Sequence, residues 1–304
     1  MNGFINFYKN SGLTSNRALE KVKKTVRLKK AGYLGTLDPF ATGILPVALG
    51  LGTKLFSYFE EAPKKYTATI VFGFETDTQD STGKKTLTSQ APQPDEREKL
   101  EETLNKFLGE IEQVPPMFSA KKINGRRLYE LAREGKSVER QAKTVTIHSI
   151  ELKEFSGETA VFTAEVSRGT YLRTLCEDIG RQLGYRAHLG GLERTKVHIF
   201  SVEDSVNIDT LEENSNNPEK WLLPLDYPFL KSMPKFDASL KDKTVLLMGQ
   251  EVQWTGKESG FVRLYDNKSE FFGIGRADAV LRQVSPQKIL AAGTKRAQKS
   301  ASAV

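Results

Sequence analysis

Cysteine and histidine are scarce in this chain of 304 residues, which has one cysteine, Cys176, and three histidines, His148, His188 and His198. A single cysteine cannot form a disulfide within the chain, and these four residues lack the spacing that metal sites show. The scarcity argues against a small disulfide-stabilised secreted domain. It predicts a reduced, cytosolic protein that binds no metal.

Long hydrophobic runs are also absent. The longest, Ile44 to Leu51, is far shorter than the roughly 20 residues that a membrane-spanning helix needs. The first residues lack a charged region followed by an apolar one, so we expect neither a secretory signal nor a membrane segment. The hydrophobic content of 38% is ordinary for a protein with a core, and the length predicts two folded domains.

Acidic residues are few at the start of the chain. The net charge is +7, and most of it comes from residues 1–60, where nine Lys or Arg stand against three Asp or Glu. A concentrated positive charge favours a polyanionic partner such as RNA, DNA or a membrane surface. A charge that only maintains solubility is the alternative, and charge alone does not decide between them.

Hydrophobic spacing predicts short strands interspersed with helices. The predicted elements are a strand over 4–8, a helix with Ser15 as its N-cap, a strand over 66–74, a helix near 96–108, strands over 145–152 and 159–166, and a helix that begins near Leu172 and is ended by Gly184. Strands and helices that do not alternate regularly favour an α+β fold.

The composition turns polar and rich in proline after residue 207, which predicts a domain boundary near residue 234. The first domain would then span residues 1–234 and the second 235–290. Within the second, β-like runs over 244–248, 261–265 and 271–275 are separated by glycine and asparagine turns, a pattern typical of a small β-barrel. The tail, 291–304, is predicted to be disordered because it has nothing to bury.

One carboxylate stands alone in a glycine-bracketed, otherwise uncharged segment, residues 32–43. Gly35 and Gly43 permit backbone turns closed to other residues, and Pro39 fixes φ directly after Asp38. Asp38 should therefore be held rigidly, just after the most basic part of the chain. This arrangement is typical of a catalytic acid that faces an anionic polymer, and a simple Asp-Pro turn is the alternative.

A second basic stretch covers residues 115–143, with Phe118 and Tyr129 among its cations. Aromatic rings stack on bases, and lysine and arginine contact phosphates, so the stretch predicts a flap that clasps nucleic acid. Its basic residues are Lys121, Lys122, Arg126, Arg127, Arg133, Lys136, Arg140 and Lys143.

Four segments resemble, in the same order along the chain, the motifs of the TruB family of tRNA pseudouridine synthases. They are Gly-Tyr-Leu-Gly-Thr-Leu-Asp ending at Asp38, Lys65-Tyr66, Pro-Pro-Met-Phe-Ser-Ala-Lys ending at Lys121, and Arg-Gly-Thr-Tyr-Leu-Arg ending at Arg173. The resemblance covers about residues 1 to 230. It implies a pseudouridine synthase fold with a mixed, largely antiparallel central sheet. The last segment, from Gly249 to Gly275, looks like a PUA domain, an RNA-binding β-barrel.

The resemblance implies that the chain isomerises the uridine at tRNA position 55, in the T-loop, to pseudouridine. No cofactor is expected, because the reaction is redox-neutral. Asp38 matches the family's catalytic carboxylate, and Arg173 matches the arginine that keeps it ionised. Tyr66 matches the residue that stacks on the target base and is placed to take its C5 proton; a core tyrosine is the alternative. Whether Asp38 attacks the sugar C1′ or the base C6, or removes a ribose proton, is left open.

The resemblance also supplies a set of substrate-binding residues, among them an apolar pocket wall at Leu192, for which plain core packing is the alternative. The set is Tyr33, Lys65, Lys121, Tyr171 and Leu192, and the basic stretch adds Arg126 as a further substrate-binding candidate. The expected partner is the T-arm of tRNA, with no membrane and no protein partner, and the chain is expected to act as a monomer in the cytoplasm.

Tyr33 stands where family members usually have a histidine that helps to open the T-loop. Tyrosine offers a comparable flat surface but cannot be protonated near neutral pH, so we expect activity to be retained with an altered affinity or rate. Tyr33 is also the one feature that favours a rival function, a tRNA-folding chaperone without turnover. A second rival function is nucleotide binding by the run Gly50-Leu51-Gly52-Thr53-Lys54. This run lacks the spacing of a P-loop.

Overall fold

A computed structural model describes residues 1–118, 122–123, 126–127, 134 and 138–290, with the backbone alone at 122–123 and 126–127. It divides the chain into two compact units, the first spanning Met1–Leu223 and the second starting at Pro224. Lys121, the tail 291–304 and part of the predicted flap over 115–143 lie outside the described residues.

The first unit is built on a mixed sheet flanked by short helices. Its strands are β1 (Gly3–Lys9), β2 (Ala31–Tyr33), β3 (Thr42–Leu49), β4 (Lys64–Phe72), β5 (Phe74–Thr76), β6 (Lys85–Thr88), β7 (Gly109–Gln113), β8 (Lys122–Ile123), β9 (Arg126–Arg127), β10 (Lys143–Phe155), β11 (Thr159–Val166), β12 (Ala187–Val197) and β13 (Phe200–Ser201). Its helices are α1 (Ser15–Thr25), α2 (Arg97–Asn105), α3 (Leu172–Leu183) and α4 (Ile208–Glu213). Short 3₁₀ turns lie at Gly50–Lys54, Phe56–Tyr58, Pro94–Glu96 and Pro218–Lys220.

The central sheet runs in the order β1-β3-β12-β4-β11-β10-β7, with β2 paired to β3 and β13 paired to β12. Among the described strands of this sheet, β12 and β3 are the one parallel pair, with Glu193 opposite Thr42 and Arg194 opposite Gly43. The other pairs are antiparallel, which confirms the expected α+β, largely antiparallel architecture. The parallel pair places the end of the Asp38 segment directly beside β12.

The alternation expected over 66–74 is present, but the strand lies two residues earlier, at Lys64–Phe72. Gly73 ends it because its φ of +103° turns the chain before β5. Residues on the inner face of β4, from Tyr66 to Phe72, pack against α2 and α3 in one hydrophobic cluster. A second cluster joins β1 and β3 to α1 and α4.

Capping residues set the helix boundaries. Gly184 ends α3 with φ +96°, as expected. Ser15 was expected to cap α1, and this is wrong: the Thr14 side chain accepts from the Arg17 amide at 3.2 Å. The Ser15 hydroxyl instead contacts the backbone of Leu37, accepting from its N–H at 2.8 Å and donating to its carbonyl at 3.0 Å. The start of α1 is thereby bonded to the Asp38 segment.

The second unit contains a five-stranded sheet in its described part. Its elements are a 3₁₀ turn at Tyr227–Phe229, β14 (Lys235–Asp237), α5 (Leu240–Leu247), β15 (Val252–Gln253), β16 (Gly260–Tyr265), β17 (Phe271–Asp278) and β18 (Gln283–Ile289). The sheet runs β14-β16-β17-β18-β15. The predicted runs over 261–265 and 271–275 fall within β16 and β17.

The β-like run predicted over 244–248 is wrong, because these residues belong to the end of α5. Ser239 and Asp242 form a reciprocal capping box at its start, which stabilises a helix over this short apolar run. The structure also divides the chain earlier than the boundary expected near 234. Residues after Pro224 contact the second sheet: the Tyr265 hydroxyl donates to Asp226, and Arg263 Nε donates to the Met233 carbonyl at 2.9 Å.

None of the helices in the described parts of the chain combines the length and the apolar character needed to cross a membrane.

Gly43 gives a test of the parallel pair. A Cβ on Gly43, which has φ +107°, would lie 2.3 Å from the Arg194 carbonyl oxygen. At Gly184, with φ +96°, an added Cβ would meet nothing within 4 Å. The left-handed conformation costs about 1–2 kcal/mol at either site. We expect Gly184→Ala to lose about that much unfolding free energy and Gly43→Ala to lose more than about 3 kcal/mol, measured by urea unfolding. Equal losses would show that the β3–β12 approach relaxes without cost.

Candidate active site

Asp38 lies in the segment between β2 and β3, and backbone hydrogen bonds hold this segment in place. The Ala41 amide donates to the Asp38 carbonyl at 3.1 Å, and the Gly12 amide donates to the Pro39 carbonyl at 2.8 Å. Gly35 has φ +71°, a conformation that other residues rarely adopt. The rigid placement expected for Asp38 follows from these bonds.

Arg173, in the first turn of α3, forms an ion pair with Asp38, as the resemblance implied. Its Nε lies 3.0 Å from Asp38 Oδ2, and its Nη2 lies 3.5 Å from Oδ1. The Arg173 side chain is 6% exposed and that of Asp38 is 34% exposed. Two nitrogens of one guanidinium therefore face both carboxylate oxygens, a geometry that favours the ionised acid.

Three further contacts fix the Arg173 guanidinium. Nη2 donates to the Phe118 carbonyl at 2.8 Å, and Nη1 donates to the Thr78 carbonyl at 3.2 Å. Nη1 also lies 3.6 Å from the buried Asp80 carboxylate, which accepts from the Thr78 and Thr82 hydroxyls at 2.7 and 2.6 Å. Arg173 thus joins the Asp38 segment to the turn after β5 and to the chain after β7.

The start of α3 is positioned by a side chain from β7. Gln113 accepts from the Tyr171 amide at 2.8 Å and donates to the Tyr171 carbonyl at 3.1 Å. Tyr171 is the N-cap residue of α3 and makes no capping bond with its own side chain. Gln113 therefore helps to place Arg173, two residues later.

Two opposing effects act on the Asp38 carboxyl. Burial raises its pKa above the ordinary value, and the Arg173 guanidinium lowers it. Asp80 adds a smaller upward effect, and Lys9 a smaller downward one. The upward effects dominate, so the acid is harder to ionise than a free aspartate, and it depends on Arg173 to remain charged.

Lys9 stabilises the same segment through hydrogen bonds to backbone carbonyls. It is 0% exposed, and its ammonium donates to the carbonyls of Asn10, Leu13 and Pro39 at 3.1, 2.9 and 3.3 Å. Burial lowers the pKa of Lys9 to about 8, although Asp38 opposes this. These carbonyl contacts compensate for the burial of the ammonium and tie β1 to the Asp38 segment.

The Asp38–Arg173 pair opens into a cleft of about 1310 Å³ in the first unit. The cleft combines charged groups with aromatic and apolar walls, and is large enough for a nucleotide taken out of an RNA stack. The described residues that line it are Thr14, Ser15, Asn16, Tyr33, Leu34, Gly35, Thr36, Leu37, Asp38, Pro39, Phe40, Phe56, Glu60, Lys64, Tyr66, Thr78, Asp80, Thr82, Phe118, Arg168, Gly169, Thr170, Tyr171, Leu172, Arg173, Leu192 and Arg194.

The structure brings most of the sequence-predicted residues to this cleft. Asp38, Tyr66, Arg173, Tyr33, Tyr171 and Leu192 all line it. Tyr66 is 8% exposed, so it is packed in the core and reaches the cleft at the same time. The Tyr33 hydroxyl donates to Asn16 Oδ1 at 3.1 Å.

Lys65 is not among the residues that line the cleft, and its side chain is exposed. Successive side chains of a strand point to opposite faces, so β4 directs Lys64 and Tyr66 inward and Lys65 outward. Lys121 lies outside the described residues, and the side chain of Arg126 is not described.

Sequence reasoning missed Asp80, Lys64 and Arg194. The segment Asp-Thr-Gln-Asp-Ser-Thr-Gly, residues 77–83, carries a usable signal, since hydroxyl and carboxylate side chains followed by glycine predict a turn that satisfies its own acid. Strand parity, applied to Lys64 and Lys65, would have found Lys64. Arg194 has no local signal, because its role depends on the distant Asp38 segment. In the described residues, no cluster of His, Cys, Asp or Glu has a metal-binding arrangement.

Family profiles match most of the chain, from residue 23 to 229 and from 242 to 288. Residues 23–172 match "TruB family pseudouridylate synthase (N terminal domain)". Residues 173–229 match "tRNA pseudouridylate synthase B C-terminal domain", and residues 242–288 match "Pseudouridine synthase II TruB, C-terminal".

Curated relatives are similar over most of their length. A protein of Syntrophomonas wolfei named tRNA pseudouridine synthase B is 40% identical over 284 residues, which cover 91% of this chain and 94% of the relative. A protein of the same name from Aquifex aeolicus is 39% identical over 293 residues, which cover 95% of this chain and 100% of the relative.

Solved structures share the fold. A chain in the crystal structure of a Cbf5-Nop10-Gar1 complex superposes with a TM-score of 0.70 at 25% identity, covering 95% of this chain and 85% of that chain. A chain of an H/ACA RNP bound to a substrate RNA containing 2′-deoxyuridine gives a TM-score of 0.69 at 24% identity, with the same coverage.

The raised pKa of Asp38 predicts how stability depends on pH. A raised pKa means that the folded protein binds this proton more tightly than the unfolded chain does. Stability is therefore lost as the pH rises and the carboxyl ionises in the folded protein. We therefore expect Asp38→Asn to gain unfolding free energy relative to the parent as the pH rises from 4 to 7, measured by urea unfolding at each pH. The exposed Asp204, changed to Asn, controls for the loss of one negative charge. An Asp38→Asn protein that loses relative stability over this range would mean that Arg173 outweighs burial.

Proposed function

The chain belongs to the TruB family of pseudouridine synthases, and we propose that it isomerises uridine to pseudouridine at position 55 in the T-loop of tRNA. The observation that carries the proposal is the Asp38–Arg173 ion pair, with a 3.0 Å contact, in the cleft that Tyr66 also lines. The curated relatives named tRNA pseudouridine synthase B support tRNA as the substrate. The isomerisation conserves every atom of the substrate. The N1–C1′ bond breaks and a C5–C1′ bond forms, while C5 gives up a proton and N1 gains one.

Asp38 supplies the carboxylate for this reaction. An ionised carboxylate can form a covalent adduct and later leave, which divides one difficult displacement into two easier steps. Attack on C1′, attack on C6 and removal of a ribose proton all require the ionised form. Because burial raises the pKa of Asp38, the Arg173 guanidinium is the group that maintains this form.

Tyr66 and Leu192 provide the surface for the uracil ring. Both residues line the cleft. Tyr66 lies on β4 and Leu192 on the neighbouring β12, where Leu192 is opposite Ala68, two residues after Tyr66. Unstacking a base costs a few kcal/mol. Stacking on an aromatic ring contributes about 1–3 kcal/mol per base and offsets part of this cost. The Tyr66 hydroxyl is our candidate for the group that takes the C5 proton.

The surroundings of the cleft suit an RNA. Asn16 and Tyr33 lie at its edge, and from Asn16 the exposed basic residues of α1 and the following turn continue along the surface. They are Arg17, Lys21, Lys24, Arg27, Lys29 and Lys30. We propose that this surface and the second, PUA-like unit bind tRNA phosphates, and that the chain acts as a monomer in the cytoplasm, where tRNA is found.

Removal of the Asp38 charge tests the proposed function. We expect Asp38→Asn to lower the rate of tritium release from T-arm RNA labelled at uridine C5 by about a thousandfold or more, because the amide cannot act as nucleophile or base. Asp204→Asn, on an exposed residue, is the matched control and should keep the parental rate. Parental turnover by Asp38→Asn contradicts the mechanism.

Tyr33 tests the departure from the usual family histidine. The parent is expected to turn over, and Tyr33→His is expected to change KM or kcat by up to about tenfold, since a flat side chain at the cleft edge is kept and histidine, unlike tyrosine, can gain a proton near neutral pH. Steady-state kinetics of both proteins on the same T-arm RNA give the comparison. If only Tyr33→His turns over, Tyr33 disables catalysis, and the binding-only chaperone becomes the better function.

A further inference from the structure

Lys64 is a buried cation that faces the cleft. As the first residue of β4 it points inward, is 8% exposed and lines the cleft with Tyr66. Within the described chain its ammonium has one hydrogen bond, to the Ala62 carbonyl at 3.5 Å, at the limit for such a bond. Nearby Glu60 and Glu61 both pair with Arg168, Glu60 at 3.4 Å. No described carboxylate is in ion-pair contact with Lys64.

Arg194 of β12 is the second cation at this place. It is 1% exposed, and its Nε donates to the Ile44 carbonyl at 2.7 Å. Its Nη2 donates to the Gly35 carbonyl at 2.8 Å and approaches the Leu34 carbonyl at 3.5 Å. Among the described side chains and backbone groups, no acceptor bonds to Nη1. Three carbonyls therefore orient the guanidinium and leave one nitrogen available to the cleft.

The two cations meet at Gly35. A Cβ on Gly35 would lie 3.1 Å from Arg194 Nη1 and 3.4 Å from Lys64 Cε, so the missing side chain leaves open the space that both groups border. Burial, Arg194 and Arg168 lower the pKa of Lys64 to about 8, while Glu61 and Glu60 raise it. Two adjacent buried cations, neither of them in ion-pair contact with a described carboxylate, are unfavourable in the free protein.

We propose that Lys64 and Arg194 form an anion subsite beside Gly35, which binds a backbone phosphate of the substrate RNA next to the target nucleotide. This proposal rests on the proposed function, because the cleft must hold RNA. Buried charges are normally paired, and here a phosphodiester would supply the missing partner. Arg194 also bonds to the Gly35 and Leu34 carbonyls, three and four residues before Asp38, so a phosphate held there is fixed relative to the catalytic acid.

The test combines Lys64→Gln with RNAs that lack one phosphate charge. T-arm RNAs each carry a single uncharged methylphosphonate, at successive positions around the target uridine. On unmodified RNA, Lys64→Gln is expected to raise the dissociation constant and KM by about ten- to a hundredfold, with kcat nearly unchanged, because a phosphate contact acts on ground state and transition state alike. On one methylphosphonate RNA, the parent and Lys64→Gln should bind equally.

The matched control is Lys106→Gln, which removes the same charge from an exposed lysine at the end of α2. It should bind every RNA as the parent does. Lys64→Arg should restore much of the lost affinity. Thermal unfolding separates binding from folding, since Lys64→Gln removes an unpaired buried charge and should unfold no lower than the parent.

Two results would overturn the subsite. Unchanged RNA affinity in Lys64→Gln means that the ammonium contacts no phosphate. An equal loss on every methylphosphonate RNA means that Lys64 contacts the base or supports the fold. The binding measurements stand on their own, so a parent that binds RNA without releasing tritium refutes the proposed function while the subsite is still decided.

Discussion

The site depends on one constraint: a carboxylate must stay ionised where its surroundings raise its pKa. Arg173 meets this constraint, but the first turn of a helix is an unfavourable place for a cation because of the helix dipole. Contacts with Asp38, Asp80 and the carbonyls of Thr78 and Phe118 compensate for that position. The same guanidinium that maintains the charge of Asp38 therefore also joins three separate segments of the chain.

The sheet makes this arrangement possible through its parallel pair. β3 and β12 are more than a hundred residues apart in sequence, and their pairing sets Gly43 opposite Arg194. Only glycine allows that approach, since a Cβ at position 43 would overlap the Arg194 backbone. The Asp38 segment is thereby attached to β12 by backbone and by the Arg194 side chain, which explains why a segment with little regular secondary structure can be rigid.

Local patterns predicted the elements, and long-range contacts decided the details. Alternation in β4, the apolar spacing of α3 and the stop at Gly184 are properties of neighbouring residues, so the sequence contained them. Thr14 and Ser15 are equally good caps by type, and the choice followed from Leu37, which is distant in sequence. The run over 244–248 was too short to separate strand from helix by spacing. The motif resemblance points to Lys65, whereas the alternation of β4 turns Lys64 inward with Tyr66.

The two buried lysines among the described residues of the first unit, Lys9 and Lys64, differ in how far the free protein satisfies their ammonium groups. Lys9 is fully buried, yet three carbonyls accept from its ammonium, so the free protein already satisfies it. Lys64 is nearly as buried, has a pKa lowered to the same value of about 8, and has one long hydrogen bond. A pKa alone would treat the two lysines alike. Hydrogen-bond accounting distinguishes them, because a protein retains a poorly satisfied buried charge at a cost to stability that binding of a polyanion can offset.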